Sequence, residues 1–214
     1  MKKTTWASFI GIGGRSSEKT VVKRNLKLLY KGVCGFFQDA GDAPCKGLAL
    51  TYGELTPVGV SRMLDYLQMN RQDVFYDLGS GVGRAVLQVS MTASIRKSAG
   101  IEIVEARHKA AKRVLSATRK QAWIKSLAVV FRQESLLETD LKDVTVVYVA
   151  STCFSGNFMT KIARKLINLQ EAITLVSLRE FERKHRGFDH VKTLTLPCTW
   201  SRRVTAHVHR INGS

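Results

Sequence analysis

Asp77 heads the segment Asp77-Leu-Gly79-Ser-Gly81-Val-Gly83, which follows an apolar run and precedes a helical one. Glycines in that setting let the backbone turn sharply and approach a ligand with no Cβ in the way. In an open parallel sheet the ligand lies beyond the carboxyl ends of the strands. Charge decides which ligand. A dinucleotide or nucleoside triphosphate would set phosphates on this loop, and the carboxylate of Asp77 would repel them. Arg84 stands where the dinucleotide fingerprint needs its third glycine, and no Gly-Lys-Ser/Thr follows as a P-loop requires. S-adenosylmethionine carries no phosphate; it carries an ammonium and a sulfonium, which a carboxylate attracts. Glu102, 23 residues after Gly79, ends the next apolar run, where a carboxylate accepts from ribose hydroxyls. Glu134, in Gln133-Glu134-Ser135, closes the third run, where it can accept from an adenine amino group. One such acid would be a solvated strand end. Three of them, after three successive strands, make a pocket.

The elements that must position these acids alternate along the chain. Val74–Leu78, Ala99–Ile103, Leu127–Arg132, Thr145–Ala150 and Ile173–Leu178 read as strands. Arg84–Thr92, Glu105–Ala122 and Asn157–Leu169 read as helices between most of them. Strands separated by helices imply a mostly parallel sheet with right-handed crossovers. Val191–Leu196 and Thr205–Ile211 have only the turn Pro197–Arg203 between them, so they form an antiparallel pair. Upstream, Thr56 caps a helix with Pro57 at its first position and an apolar stripe of Val60, Met63, Leu64 and Leu67. Ser16 or Ser17 caps an earlier helix running to about Phe37, with its stripe at Val22, Leu26, Leu29, Val33 and Phe36. The stretch Asp39–Pro44 breaks it. The fold expected is α/β: a Rossmann-like, seven-strand class I methyltransferase sheet, mostly parallel with an antiparallel C-terminal strand pair, over residues 51–214. Residues 1–50 form a short, basic, helical N-terminal extension.

Lys and Arg number 34 against 17 Asp and Glu, a net charge of +17. Such a field concentrates polyanions and exceeds what the solubility of a small domain needs. Seven basic residues and no acid lie between Ala106 and Ser126; the first fifty residues hold nine basic and three acidic, and the tail from Arg179 eight and three. One such segment is a solvated helix face; three suggest a basic surface that grips nucleic-acid backbone. No apolar run reaches 18 residues, so no membrane span is expected. Cys34, Cys45, Cys153 and Cys198 form no CxxC pair, which gives no support to a zinc or redox motif and fits reduced thiols. Met1–Ser17 reads as a flexible basic lead. A monomer is expected, in the nucleus, with the cytoplasm or mitochondrion as alternatives.

Tyr52-Gly53-Glu54, Phe75-Tyr-Asp77-Leu-Gly-Ser-Gly-Val-Gly83, Val86-Leu-Gln-Val89 and Gly100-Ile-Glu102 together resemble the non-SET histone-lysine methyltransferases, the disruptor-of-telomeric-silencing family. The resemblance runs from about Thr51 to Ser155 and, more loosely, to the region of Trp200. That family methylates a lysine in the globular part of histone three on the nucleosome face, and the resemblance implies the same donor and substrate here. It implies that Tyr52, Gly53, Glu54 and Leu55 cover the cofactor, with Tyr52 on the lysine channel. Asp77, with Gly79, Ser80, Gly81, Gly83 and Arg84, would hold the methionine end. Glu102 would hold the ribose, and Glu134 with Ser135 the adenine. Ser151 falls where the family has an Asn beside the transferring methyl, and Trp200 and His207 where aromatic residues narrow the channel. Three departures stand out: Ser151 for that Asn, Arg84 for a Gln and His207 for a Tyr. From the residues alone, Trp200 reads equally as a core tryptophan, and His207, in a terminal strand, reads rather as a structural histidine. Methyl transfer needs a neutral lysine, and burial in the channel supplies it by lowering the lysine pKa. No metal is required. Two other readings share the pocket: a methyltransferase acting on RNA or a ribosomal protein, and a chromatin- or nucleic-acid-binding module without catalysis. No Asn-Pro-Pro-Tyr follows the fourth strand, which argues against chemistry on a base amine.

Overall fold

The computed structural model describes residues 14–33, 53–181 and 187–212, with side chains from Glu18 onward. The side chains of Ser16 and Ser17, the expected helix end at Phe37, the break Asp39–Pro44, Cys34, Cys45 and Tyr52 lie outside it. The chain forms helix α1 (Gly14–Leu29), α2 (Pro57–Leu67), strand β1 (Val74–Leu78), α3 (Arg84–Thr92), β2 (Lys97–Ile101), α4 (Glu105–Lys120), β3 (Ala128–Arg132), β4 (Val146–Val149), a 3-10 turn at Ser151–Cys153, α5 (Gly156–Ile167), β5 (Ile173–Ser177), β6 (Phe188–Leu196) and β7 (Val204–Ile211).

The seven strands form one sheet in the order β3-β2-β1-β4-β5-β7-β6. β1 to β5 pair in parallel, and β7 runs antiparallel between β5 and β6. The parallel centre is apolar because helices cover both faces: all five residues of β1 and all four of β4 are buried. One face carries α2 and α3, whose Val60, Met63, Leu64 and Val89 pack on Phe75, Val146, Val176 and Val208. The other carries α5 and the segment before β4, whose Met159, Ile162, Leu166, Leu136 and Leu141 pack on Val74, Tyr76, Val147 and Leu175. Between β3 and β4 no helix of the α type intervenes.

α1 joins this body through its own stripe. Val22, Leu26 and Tyr30 are buried against Val82, Val86, Leu87 and Met91 of α3 and its entry, and against Ala110 and Val114 of α4. Lys19 pairs with Asp65 of α2 at 2.6 Å, and Lys125 pairs with Glu18. The Tyr30 hydroxyl donates to the Val82 carbonyl at 3.0 Å, which ties the helix to the glycine loop itself.

Local signals set the ends that matter. Thr56 Oγ1 accepts from the Gly59 N–H at 3.2 Å, with Pro57 opening the helix, so α2 starts where its cap dictates. Gly83 sits at φ 83° as the N-cap of α3, a left-handed conformation that glycine adopts without strain. Ser155 Oγ caps α5 by accepting from Phe158 N–H at 3.2 Å. Among the described residues no helix is long and apolar enough to cross a membrane. Of the cysteines described, Cys153 is exposed and Cys198 is buried, neither in a disulfide.

Candidate active site

After β1 the chain moves outward to β2 and β3, then returns to place β4 on the other side of β1. This reversal opens a crevice beyond the carboxyl ends of β1 and β4, the usual binding place of such sheets. Asp77 lies at its floor, in register with Gly100 of β2 on one side and Tyr148 of β4 on the other. A single cavity there is lined by Gly53, Glu54 and Leu55, by Asp77 through Gly81, by Arg84, by Glu102 and Ile103, by Arg107, by Glu134, Ser135 and Leu136, by Tyr148 and Ala150, and by Phe154 and Phe158.

The glycine loop folds onto β2. The N–H groups of Gly79 and Ser80 both donate to the Ile101 carbonyl at 2.9 Å, and Gly83 N–H donates to Ser80 O at 2.8 Å. Glu102 fixes the same loop from the opposite wall: Oε2 accepts from Gly81 N–H and Oε1 from Val104 N–H, each at 2.8 Å. Each carboxylate oxygen keeps further lone-pair capacity for a ligand hydroxyl. Gly79 stands at φ 92° with Phe154 Cζ 4.0 Å from where a Cβ would be, so its backbone faces open space. Gly100 is needed for another reason: a Cβ there would come within 2.6 Å of Ser80 Oγ and 2.7 Å of the Phe131 ring.

The wall formed by residues 53–55 is held by the segment between β6 and β7. Glu54 N–H donates to Thr199 Oγ1 at 3.2 Å, and Thr199 N–H donates to Glu54 O at 2.8 Å. Leu55 bridges Cys198, and Thr56 N–H donates to Pro197 O at 3.0 Å. Trp200 lies over Gly53, where a Cβ would meet its ring at 2.4 Å.

Charge in this basic protein inverts inside the cavity. Burial pushes the Asp77 carboxyl well above the usual carboxylate range, and the charges of Glu102 and Glu54 push it further. Burial also raises Glu102, opposed by the Val104 N–H, the Arg107 charge and the Gly81 N–H. Asp77 Oδ1 is buried with no hydrogen-bond partner among the described residues. A buried, unpartnered carboxylate oxygen beside two more carboxylates is built for a cation. A phosphate on the glycine loop would face the carboxyl groups of Asp77 and Glu102.

The sequence-predicted residues divide into two groups. Gly53, Glu54, Leu55, Asp77, Gly79, Ser80, Gly81, Arg84, Glu102, Glu134 and Ser135 come together on the cavity. Tyr52 lies outside the described residues. Gly83, Ser151, Trp200 and His207 are not on the cavity wall. A Cβ on Gly83 would strike Phe131 at 2.4 Å, so that glycine serves packing. Ser151 is fully buried, with its Oγ 2.6 Å from Ser177 Oγ and accepting from Arg179 N–H at 3.2 Å; its neighbour Ala150 lines the cavity. Trp200 is 48% exposed. His207 pairs with Ser177 across β5–β7, and its ring lies 6.0 Å from that of His190 and 6.4 Å from that of His209. Sequence reasoning missed Arg107, Tyr148, Phe154 and Phe158. Tyr148 was signalled as the polar break in the apolar run Val146-Val-Tyr-Val149.

Arg84 does more than line the loop. Its Nε lies 2.8 Å from Glu54 Oε2, its guanidinium stacks 4.1 Å over the Tyr30 ring, and Nη2 donates to Val33 O at 2.7 Å.

This strand order, with an acid-lined cavity at its switch point, is the class I methyltransferase fold. A family model described as "Histone methylation protein DOT1" matches residues 46–196, and the chain belongs to that family. It is similar to proteins named "Histone-lysine N-methyltransferase, H3 lysine-79 specific": 30% identical to that of Debaryomyces hansenii over 68% of this chain, and 32% identical to that of Candida albicans over 62%. The chain spans 13% and 11% of the length of those two relatives. Among solved structures it is similar to an RNA methyltransferase from Salinibacter ruber in complex with S-adenosyl-L-homocysteine, at TM-score 0.57 and 28% identity over 72% of this chain and 91% of that one. A putative RNA methyltransferase from Pyrococcus horikoshii, 14% identical, shares the fold at TM-score 0.57 over 91% of this chain and 97% of its own.

Proposed function

We propose that this protein is an S-adenosylmethionine-dependent lysine N-methyltransferase whose substrate is histone three in the nucleosome, at the lysine after which the relatives are named. The observation that carries the reading is the buried, unpartnered Asp77 carboxylate in an acid-lined cavity of a chain that belongs to a histone methylation family.

The residues present fit the cofactor. Asp77 and Glu54 face its cationic methionine end, Glu102 its ribose and Glu134 with Ser135 its adenine, in the order in which the strands lie. Gly79, Ser80 and Gly81 offer a backbone wall without bulk. When bound, S-adenosylmethionine would supply a methyl on a sulfonium for in-line transfer to a neutral lysine nitrogen, leaving the neutral thioether, with the surplus amine proton passing to water. The protein's own part is to bind, align and dry. Phe154, Phe158, Leu55 and Ala150 exclude water, which favours the neutral lysine, and the fixed walls hold the reacting groups in line. Ser151 acts by holding the turn after β4 against Ser177. Trp200 acts by holding Gly53.

The remaining exposed cations suit the phosphate backbone of a nucleosome. We place the protein in the nucleus, as a monomer. The similarity to the Salinibacter RNA methyltransferase favours a second reading, methylation of RNA, because it shares the pocket and the charge explains it equally. One experiment separates them: a labelled methyl donor offered with nucleosomes, with free histones and with RNA. Label on histone three in nucleosomes is the expected result. Label on RNA, or none on any protein, overturns the proposal.

A further inference from the structure

Tyr148 is 3% exposed and lines the cavity, yet its hydroxyl has no hydrogen-bond partner among the described residues. A buried, unsatisfied hydroxyl is costly and calls for an explanation. Its position supplies one. The cavity runs along the strand ends from Glu134 past β3, through Glu102 and Asp77, to Tyr148 on β4. Tyr148 is thus at the end opposite the adenosine acids, beyond Asp77. There it packs among Leu55 and Cys198, the two residues whose bridge closes that wall.

We propose that the Tyr148 hydroxyl orients the substrate amine, an assignment that rests on the lysine-methyltransferase reading above. An amine that gives its lone pair to a methyl must point its N–H groups elsewhere, and they need an acceptor. A phenol oxygen offers two lone pairs. A carboxylate at the same place would hold lysine as an ammonium, which has no lone pair to give; a neutral phenol does not. Burial, with Asp77, Cys198 and Glu54 adding to it, holds the Tyr148 phenol in its neutral form. Ala150, on the same strand end, carries no polar group that could do this in its place. One acceptor also limits geometry: each methyl added removes an N–H, so the hydroxyl affects how many methyls are transferred.

Tyr148→Phe deletes the oxygen alone and keeps the ring. Titration with S-adenosylhomocysteine should give an affinity within about twofold of wild type, and Tm should be unchanged or higher, since an unsatisfied group is removed. Turnover on nucleosomes at saturating donor should fall at least about tenfold, and mass spectrometry of histone three should show a changed ratio of mono-, di- and trimethyl products. Wild-type turnover with the wild-type product ratio overturns the inference. So does a loss of S-adenosylhomocysteine affinity as large as the loss of turnover, which would give the hydroxyl to the cofactor. A wild-type protein that labels no lysine overturns the reading beneath and this assignment with it.

Discussion

Arg84 and Glu54 are joined across the cavity wall, guanidinium Nε 2.8 Å from carboxylate Oε2. The pair links the first turn of α3 to the loop that closes the site, and the stack of Arg84 on Tyr30 extends the link to α1.

Arg84→Gln removes both the charge and the stack. A partly buried charged hydrogen bond contributes about 1.5 kcal/mol, so S-adenosylhomocysteine should bind roughly tenfold more weakly. Arg84→Lys should recover part of that affinity, since it restores charge but not the planar stack. Calorimetric titration of the three proteins checks it; equal affinities would mean the loop needs no such tether.

Asp77→Asn should separate binding from stability. The folded pKa of Asp77 is raised, so its contribution is fully present below the unfolded carboxylate pKa and is lost as pH rises through the folded value. The ligand-free protein therefore loses stability, relative to acid pH, by burying this carboxyl as pH rises, a cost that Asn avoids. Thermal melts from about pH 5 to 8 should show Asp77→Asn gaining Tm over wild type toward the upper end, while donor binding collapses. A variant less stable than wild type at the alkaline end contradicts this account.

His209 works in the opposite sense. Burial, helped by His190 and His207, lowers its pKa to about 4, and its ring packs edge-on to Phe181 and Phe188. Its stability contribution is present above the ordinary histidine pKa and is lost as pH falls toward that lower value. His209→Phe should melt less steeply with falling pH between about 6.5 and 4. Parallel slopes for the two proteins would place the acid sensitivity elsewhere.

Gly100→Ala tests the loop's seat on β2. The new Cβ meets Ser80 Oγ and Phe131 at 2.6 and 2.7 Å, and overpacking of this kind costs about 1–3 kcal/mol. Urea unfolding should show that loss, and donor affinity should fall with it because Ser80 lines the cavity.

On the surface, Lys109 is already paired with Glu105 at 2.5 Å, whereas Lys112 and Arg113 are exposed on the same helix. Lys112→Glu with Arg113→Glu should weaken nucleosome binding and make its dependence on salt shallower, by close to one unit of slope for each phosphate no longer neutralised. Binding with wild-type affinity and salt slope would leave α4 a solvated face.

The parallel core and its glycine loop were legible because apolar runs, caps and punctuation agree there. The edge was less so. β6 begins at Phe188, before the expected Val191, because Asp189, His190 and Lys192 face solvent on an edge strand and break the apolar pattern. β2 begins at Lys97 and not Ala99, since Lys97 is polar in sequence yet is spoken for by Asp143 at 2.5 Å and Tyr76 OH at 2.9 Å. Within the site, the three acids follow from charge and strand ends. Tyr148 does not, because its meaning comes from standing beside Asp77 in a pairing between strands 71 residues apart at Thr145 and Val74. Ser151 and Ala150 differ by one position, and only the turn decides which of them faces inward.

The bridge between Leu55 and Cys198 joins segments held also by Thr56 and Pro197, 141 residues apart. Pairings of such separation form late, because the intervening chain must first be ordered. On a ribosome, the glycine loop leaves the exit tunnel long before the segment that holds its lid. A nascent chain halted before Pro197 therefore has the acids of the site and residues 53–55 of its wall, but not the segment that fixes that wall. The contacts that hold the wall in place arrive only with the turn after β6, late in synthesis.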